Sequence, residues 1–469
     1  MSRQRYGEHL ISQFSFPKIL ILEKTLLNNT DSGACSLRNW FWDWPKNRLL
    51  QIYTGVTIEK QSFCGSDFHI GIEERRLGNL FFSLKDSTLG ELVQPHRMAT
   101  RRKTSGRYII MANVLRTMGN FLVKTGLWEL IFPPVLSPRL RKWLDDTRPD
   151  IVFFQATDLS FMKLALDIHA AYGIPICVNI VDDWVGHLYK DSFLSFFMTW
   201  VVRRRFQKLI RRCTYRFVIG DLMAREYQFR YGLAFEPLMQ CDDPGRFPIG
   251  MSGLIDKTGT VQIVYSGYLG IGRWECLLEL SAAIEPLVTE KLKIEIVAYV
   301  PFVPVEASEL IKEARNIRIE ASPKDEDVPG ILCGADILFL PESFEAQTRA
   351  YTKLSVSTKA HLYMMSERPV LVYGPPEIGT VEYATREGWG FVVSEKSISV
   401  LREAVRSLIN DASLREKLVT TGKRVAMRNH NGIAVREKLR IRLSTMKENF
   451  STPNDALKES EYREITNVS

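Results

Sequence analysis

The sequence predicts an α/β protein of two doubly wound parallel-sheet domains with a helical C-terminus. Three observations carry this expectation. Short apolar runs of strand length alternate with helix-period segments in both halves of the chain. A stretch rich in Asp, Gly and Pro, from Asp242-Asp243-Pro244-Gly245 to Gly253 and Gly259, interrupts that alternation. Residues 335–375 then hold a strand, a polar loop, a helix and a second strand in immediate succession.

The elements follow in order. Residues 1–16 read as a loose leader, and Lys18-Ile19-Leu20-Ile21-Leu22 is the first strand. The polar loop Asn28-Asn29-Thr30-Asp31-Ser32-Gly33 leads into a helix carrying Leu37, Trp40 and Phe41. Residues 49–53 form a second strand and 68–71 a third. Residues 84–107, with Arg101-Arg102-Lys103, read as an exposed basic loop or mobile helix. Trp143 and Leu144 lie on a helix that leads to a buried strand at 149–154. A helix with Leu164, Leu166, Ile168 and Ala171 at helical spacing follows, then a strand at 174–180 with Asp182-Asp183-Trp184 at its carboxyl end. After a long helical region, residues 215–220 close the first sheet.

The alternation restarts beyond the linker. Strands are expected at 262–265, 294–297, 317–319, 337–341, 369–373 and 390–393. A glycine-bearing loop, 267–272, precedes a helix with Leu277, Leu280 and Ala283. Two or three helices fill 399–445. The resulting division is a leader (1–16), a first domain (17–244), a linker (245–259), a second domain (260–425), C-terminal helices (426–450) and a polar tail (451–469).

Composition narrows the function classes. The chain has 469 residues, enough for two domains, and is 45% hydrophobic and 25% charged, as globular proteins are. The net charge of +8 favours anionic partners. Seven scattered cysteines without a CxxC pair read as buried reduced thiols in a cytosolic protein, not a zinc site. The seven histidines form no metal-ligand pair. No charged-then-apolar signal segment begins the chain, and no apolar run reaches membrane-spanning length. The basic runs carry no recognised nucleic-acid module, so no nucleic-acid partner is expected.

The segment 335–375 carries the chemistry. Ser357-Thr358-Lys359 opens a helix with Ala360, Tyr363 and Met364 on its apolar face. Backbone N–H groups and a helix dipole there would meet an anion, and Lys359 adds a full charge. The other reading of the same residues is that Thr358 caps the helix and Lys359 is solvated.

Two open Rossmann-like domains, a linker and a helical C-terminus resemble the GT-B fold. Local motifs resemble those of bacterial family-4-type glycosyltransferases: residues 18–22 with the Ser32-Gly33 loop, Ile180-Val181-Asp182-Asp183-Trp184, and residues 217–220 followed by Met223, Glu226 and Tyr227. Tyr265-Ser266-Gly267-Tyr268-Leu269-Gly270 matches the family's first nucleotide-domain loop. Tyr351, Ser355, Thr358 and Lys359, with Tyr363 and Pro369-Val370, match the donor-site segment of a Thr-Lys branch. The resemblance spans 17–445 and implies retaining transfer of a sugar from a nucleotide-diphosphate donor to a glycan or lipid-linked acceptor, in cell-surface polysaccharide synthesis. It implies no cofactor and no metal. The donor lies on the second domain and the acceptor on the first.

On that resemblance Arg273 and Lys359 stabilise the leaving diphosphate, Ser355 and Thr358 donate to phosphate oxygens, Gly33 and the Gly270-Ile271-Gly272 turn before Arg273 let backbone approach the donor phosphates, and Gly267 belongs to the donor-binding loop. Asp182 and Asp183 orient an acceptor hydroxyl or, alternatively, cap a helix. One departure stands out. The family's ribose-binding glutamate, seven residues before the Pro-Val pair, is replaced by Leu362. Glu342 and Glu345, or Glu382, are the nearest substitutes. The alternative is a degenerate, non-catalytic protein that binds a glycan or a protein partner. A sugar-nucleotide epimerase shares the architecture, but no acid/base pair stands out. Finally, residues 192–216 join Phe193, Phe196, Phe197, Trp200 and Val201 to Arg203, Arg204, Arg205, Lys208, Arg211 and Arg212. This pattern suits a helix lying on an anionic membrane surface, at the inner face; the other reading packs its apolar half into the core.

Overall fold

The computed structural model describes residues 16–27, 32–55, 62–71, 73–76, 117, 119–190, 192–248 and 259–451. The expected leader before Phe16, the basic segment 84–107, linker residues 249–258 and the tail from 452 lie outside them.

Two open parallel sheets form, as the alternation predicts. The first contains β1 (Ile19–Leu22), β2 (Leu49–Tyr53), β3 (Ser66–His69), β4 (Ile151–Gln155), β5 (Ile176–Ile180), β6 (Cys213–Val218) and β7 (Glu236–Pro237). Their order is β3-β2-β1-β4-β5-β6-β7. The second contains β8 (Thr260–Ser266), β9 (Lys293–Val300), β10 (Ile317–Ala321), β11 (Ile337–Pro341), β12 (Val370–Tyr373) and β13 (Phe391–Val393), in the order β10-β9-β8-β11-β12-β13. Every strand pair is parallel, so helices must cover both faces. The central strands β1, β4, β5, β11 and β12 are therefore buried at every position and apolar but for Gln155 and Asn179. Each fully buried aliphatic there contributes about 1.5–3 kcal/mol relative to exposure.

In both sheets the strand order reverses beside the first strand, at β1/β4 and at β8/β11. Ligands of such sheets bind outside the carboxyl ends of the strands at this switch point. The two carboxyl edges face each other across a cleft.

The first sheet is closed at its edge by β7, not by residues 215–220 as expected. Glu236-Pro237 has no strand signature, and its pairing is supplied by Phe217 and Val218. The C-terminal region is three helices: Ile398–Asn410, Ala412–Asn429 and Gly432–Ser451. The last returns to the first domain. Leu439, Leu443 and Met446 enter the cluster of Ile19, Ile21, Leu37 and Phe153. Arg436 bridges Asp43 (2.5 Å) and Asp243 (2.6 Å), and Lys447 meets Asp150 at 3.1 Å. Helix Gly432–Ser451 thus packs on the first domain although it follows the second in the chain.

The six cysteines Cys64, Cys177, Cys213, Cys241, Cys276 and Cys333 are buried free thiols, and Cys35 is half-buried. Helix Ser195–Arg212 divides its aromatic and apolar residues between core and solvent. Met198, Val201, Val202, Phe206, Leu209 and Ile210 are buried. Phe196 and Trp200 are 91% and 51% exposed, and Phe193, just before the helix, is 90% exposed. Val201 therefore leaves the exposed aromatic face to which the sequence assigned it. Arg205 also turns inward, where burial holds its guanidinium below the usual range. No helix among the described residues is long and apolar enough to cross a membrane.

Candidate donor and acceptor cleft

The carboxyl ends of β1, β4 and β5 supply one wall of an interdomain cavity of ≈ 310 Å³, through Glu23, Gln155, Thr157 and Asp182. Gly33 and Ser36 reach the same wall from helix Ser32–Phe41. Gly33 lies in the first turn of that helix, which opens at Ser32, inside the expected loop. The opposite wall is built by Arg273, Glu342 and the segment Tyr351 to Lys359.

Arg273 is the first residue of helix Arg273–Ile284. The preceding Gly272 has φ +72°, and a β-carbon there would sit 2.2 Å from the Ser343 hydroxyl. That glycine brings the helix start against the loop after β11. Arg273 Nη2 donates to Glu342 Oε2 at 3.0 Å, and Glu342 Oε1 accepts from the Thr380 hydroxyl at 2.9 Å. Glu342 is 2% exposed and both of its oxygens are engaged. It is therefore the counter-ion that holds Arg273, a different task from the ribose recognition expected of it. Glu345 is exposed and accepts from Thr348; Glu382 lies near Arg225 and Arg386.

Lys359 approaches Gly267 closely. A β-carbon on Gly267 would lie 1.9 Å from Lys359 Cε, at φ +145°. The glycine at 267 thus makes room for the lysine stem, and Gly267, expected in the donor-binding set, is not among the cavity-lining residues. Lys359 Nζ lies 5.7 Å from the centre of the Tyr265 ring. Burial lowers the Lys359 pKa to about 7, reinforced by the nearby Arg273 and opposed by Glu342. Among the described ion pairs none involves Lys359.

The helix expected to open at Ser357 begins only at Ala360 and ends at Met365. Six residues give little dipole, so the helix-terminus argument for this anion site does not hold; the cations remain. Thr358 lines the cavity but does not cap the helix, where Lys359 stands at the N-cap. Ser357 N–H donates to Thr380 Oγ1 at 2.9 Å, so Thr380 orders both the Lys359 segment and Glu342. Nothing in the sequence pointed to Thr380.

The Asp pair splits. Asp183 is 7% exposed, accepts from Tyr227 OH (2.9 Å) and pairs with Arg230 (2.7 Å). It anchors helix Asp221–Tyr231 and does not line the cleft, contrary to its expected role. Asp182 does line it. Its Oδ1 accepts from Ser355 Oγ at 2.7 Å and its Oδ2 from Tyr351 OH at 3.2 Å, across the two domains. Ser355, expected to face phosphate, spends its hydroxyl proton on Asp182. Burial raises the Asp182 pKa, against the opposing hydrogen bonds from Ser355 and Tyr351. Each carboxylate oxygen keeps room for a second hydrogen bond, so an entering hydroxyl can still be received.

Leu362 is partly buried and packs on the apolar core. Glu23, Gln155 and Thr157 were not singled out from sequence. Their signal was positional: Glu23 and Gln155 directly follow the apolar runs of β1 and β4. Among the described residues no group of three or more His, Cys, Asp and Glu side chains converges as a metal-binding set.

No family model matches the chain, and no curated protein matches its sequence. Solved structures do match in three dimensions. The α,α-trehalose-6-phosphate synthase of Burkholderia multivorans matches with a TM-score of 0.58 at 9% identity, over 93% of this chain and 100% of that one. The sucrose-phosphate synthase of Thermosynechococcus elongatus gives 0.57 at 10% identity, over 96% and 99%. Anabaena Alr3699/HepE in complex with UDP and glucose gives 0.54 at 10% identity, over 91% and 99%. At these identities the likeness is one of fold: two doubly wound domains in the GT-B arrangement.

Proposed function

We propose that the protein is a glycosyltransferase that moves a sugar from a nucleotide-diphosphate donor, with retention, to a glycan or lipid-linked acceptor in cell-surface polysaccharide synthesis. The observation that carries this reading is the pairing of Arg273 and Lys359 on one wall of the interdomain cavity, with Lys359 in no described ion pair. Two cations in a partly desolvated site suit a leaving diphosphate, because charge developing there is stabilised without reorganising water. The bond between the anomeric carbon and the diphosphate breaks and a bond to the acceptor oxygen forms. The acceptor's proton leaves with the nucleoside diphosphate. Asp182, at the carboxyl end of β5, would orient the acceptor hydroxyl. The solved structures it resembles include a protein in complex with UDP and glucose, which is consistent with this class of donor.

The second reading, a non-catalytic relative that binds a glycan or protein partner, is favoured by Leu362 and by the engagement of Glu342 with Arg273. Release of nucleoside diphosphate from a panel of nucleotide sugars, with membrane glycolipid extract as acceptor, separates the two. Release above the level of a Lys359→Ala variant supports transfer. Donor binding without release supports the second reading.

Helix Ser195–Arg212 fits an acceptor at a lipid surface. Its exposed face joins Phe196, Phe197 and Trp200 to Arg203, Arg204 and Lys208, and residues 192–220 contain no Asp or Glu. Each basic group near anionic lipid contributes about 1 kcal/mol. Peripheral attachment at the inner face of the membrane is the corresponding placement.

A further inference from the structure

The two walls of the cleft differ in charge. The second-domain wall carries Arg273 and Lys359. The first-domain wall carries Glu23 and Asp182 with Ser36, Gln155 and Thr157, and none of its described lining residues is a cation. The basic residues nearest in sequence are directed elsewhere: Lys24 Nζ meets Asp158 at 3.5 Å, and Arg38 donates to the Leu27 carbonyl. His187, edge-on to Tyr351 at 6.3 Å, is held toward its neutral form by burial.

Behind this wall lies a second amide. Parallel pairing sets Gln155 of β4 beside Asn179 of β5, on the same face of the sheet. Asn179 is 0% exposed, and neither its amide oxygen nor its amide nitrogen has a hydrogen-bond partner. A buried polar group left so costs about 1–3 kcal/mol unless an ordered water meets it, and Asn179 does not itself line the cavity, whereas Gln155 does. Carboxamides donate and accept at once, as sugar hydroxyls do. Carboxylates accept from hydroxyls and repel phosphate.

We propose that the first-domain wall is an acceptor subsite for an uncharged polyhydroxyl group, a sugar ring without phosphate, and that Gln155, which lines the cavity, determines its specificity. The proposal rests on the glycosyltransferase reading for the word acceptor, but its chemistry is tested by binding alone. It also sets this chain apart from a structural neighbour solved in complex with glucose-6-phosphate.

The test is saturation-transfer NMR on the full chain with matched pairs: glucose and glucose 6-phosphate, mannose and mannose 6-phosphate, N-acetylglucosamine and its 6-phosphate. UDP is measured alongside. The expected result is that a neutral sugar binds, that its phosphate binds about tenfold more weakly or worse through like-charge repulsion, and that Gln155→Leu reduces the neutral signal. Glu23→Gln should narrow the gap between the pair. Cooperative thermal unfolding checks each variant. Tighter binding of the phosphates, neutral binding that survives Gln155→Leu, or no neutral sugar bound would each overturn the proposal. UDP bound without any sugar defeats this inference and leaves the donor reading; sugar bound without UDP does the reverse.

Discussion

Replacing Gly267 by alanine sets a β-carbon where the Lys359 stem now lies. The new atom would fall 1.9 Å from Lys359 Cε and 2.9 Å from Nζ. Lys359 is flexible at that end, so it moves instead of breaking the fold. The backbone contributes separately: φ +145° is a region that side chains avoid, at about 1–3 kcal/mol of stability. The larger effect is on function, because the displaced ammonium no longer meets the diphosphate. Losing one charge-assisted hydrogen bond costs about 1.5–3 kcal/mol, or roughly 10- to 150-fold in affinity. Calorimetric titration of UDP into wild type, Gly267→Ala, Lys359→Ala and the double variant reads this directly. Gly267→Ala should weaken binding about as much as Lys359→Ala, and the double variant should be no worse than Lys359→Ala alone, since both act through one side chain. Additive losses, or wild-type affinity in Gly267→Ala, would refute the claim that Gly267 exists to seat Lys359.

Three further outcomes follow from the same geometry. Lys359 titrates near pH 7 when folded and near the usual lysine value when unfolded, so the unfolded chain holds more protons between those limits; stability should rise with pH across that window, and UDP affinity should fall above pH 7 as the ammonium is lost. A denaturation series and a titration series in matched buffers check both signs, and a flat response in Lys359→Met assigns them. Asp183→Ala should destabilise by about 1–3 kcal/mol, because Tyr227 and Arg230 lose a buried partner, while Asp182→Ala should change the melting temperature less and acceptor use more. Liposome sedimentation should pull down the wild type with anionic lipid at low salt but not a variant with Arg203, Arg204 and Lys208 changed to glutamine; equal sedimentation would rule this helix out as the attachment.

The fold was legible where burial alone decides an element. Runs such as Ile19–Leu22 and Val370–Tyr373 are apolar because both sheet faces are covered, and a sequence displays that directly. Strand β7 was not legible, because Glu236-Pro237 takes its conformation from Val218 and not from its own residues. Within the site, Arg273 and Lys359 could be read from their places after β8 and β11. Their surroundings could not. Glu342 is tied to Arg273 across 69 positions, and Thr380 reaches both Glu342 and Ser357 from a helix that sequence never connected to them. Asp182 and Asp183 are adjacent yet face partners 173 and 44 positions away, and only the folded chain separates a cleft residue from an anchor.

The central claim is that a nucleoside diphosphate binds between the domains on Arg273 and Lys359. Isothermal calorimetry with UDP, GDP, ADP and their sugar conjugates, on wild type and Lys359→Ala at pH 6.5, tests it most directly. The account predicts one-to-one binding of at least one of these, weakened about tenfold or more without Lys359. Binding that is indifferent to Lys359, or no binding by any member of the panel, would contradict it.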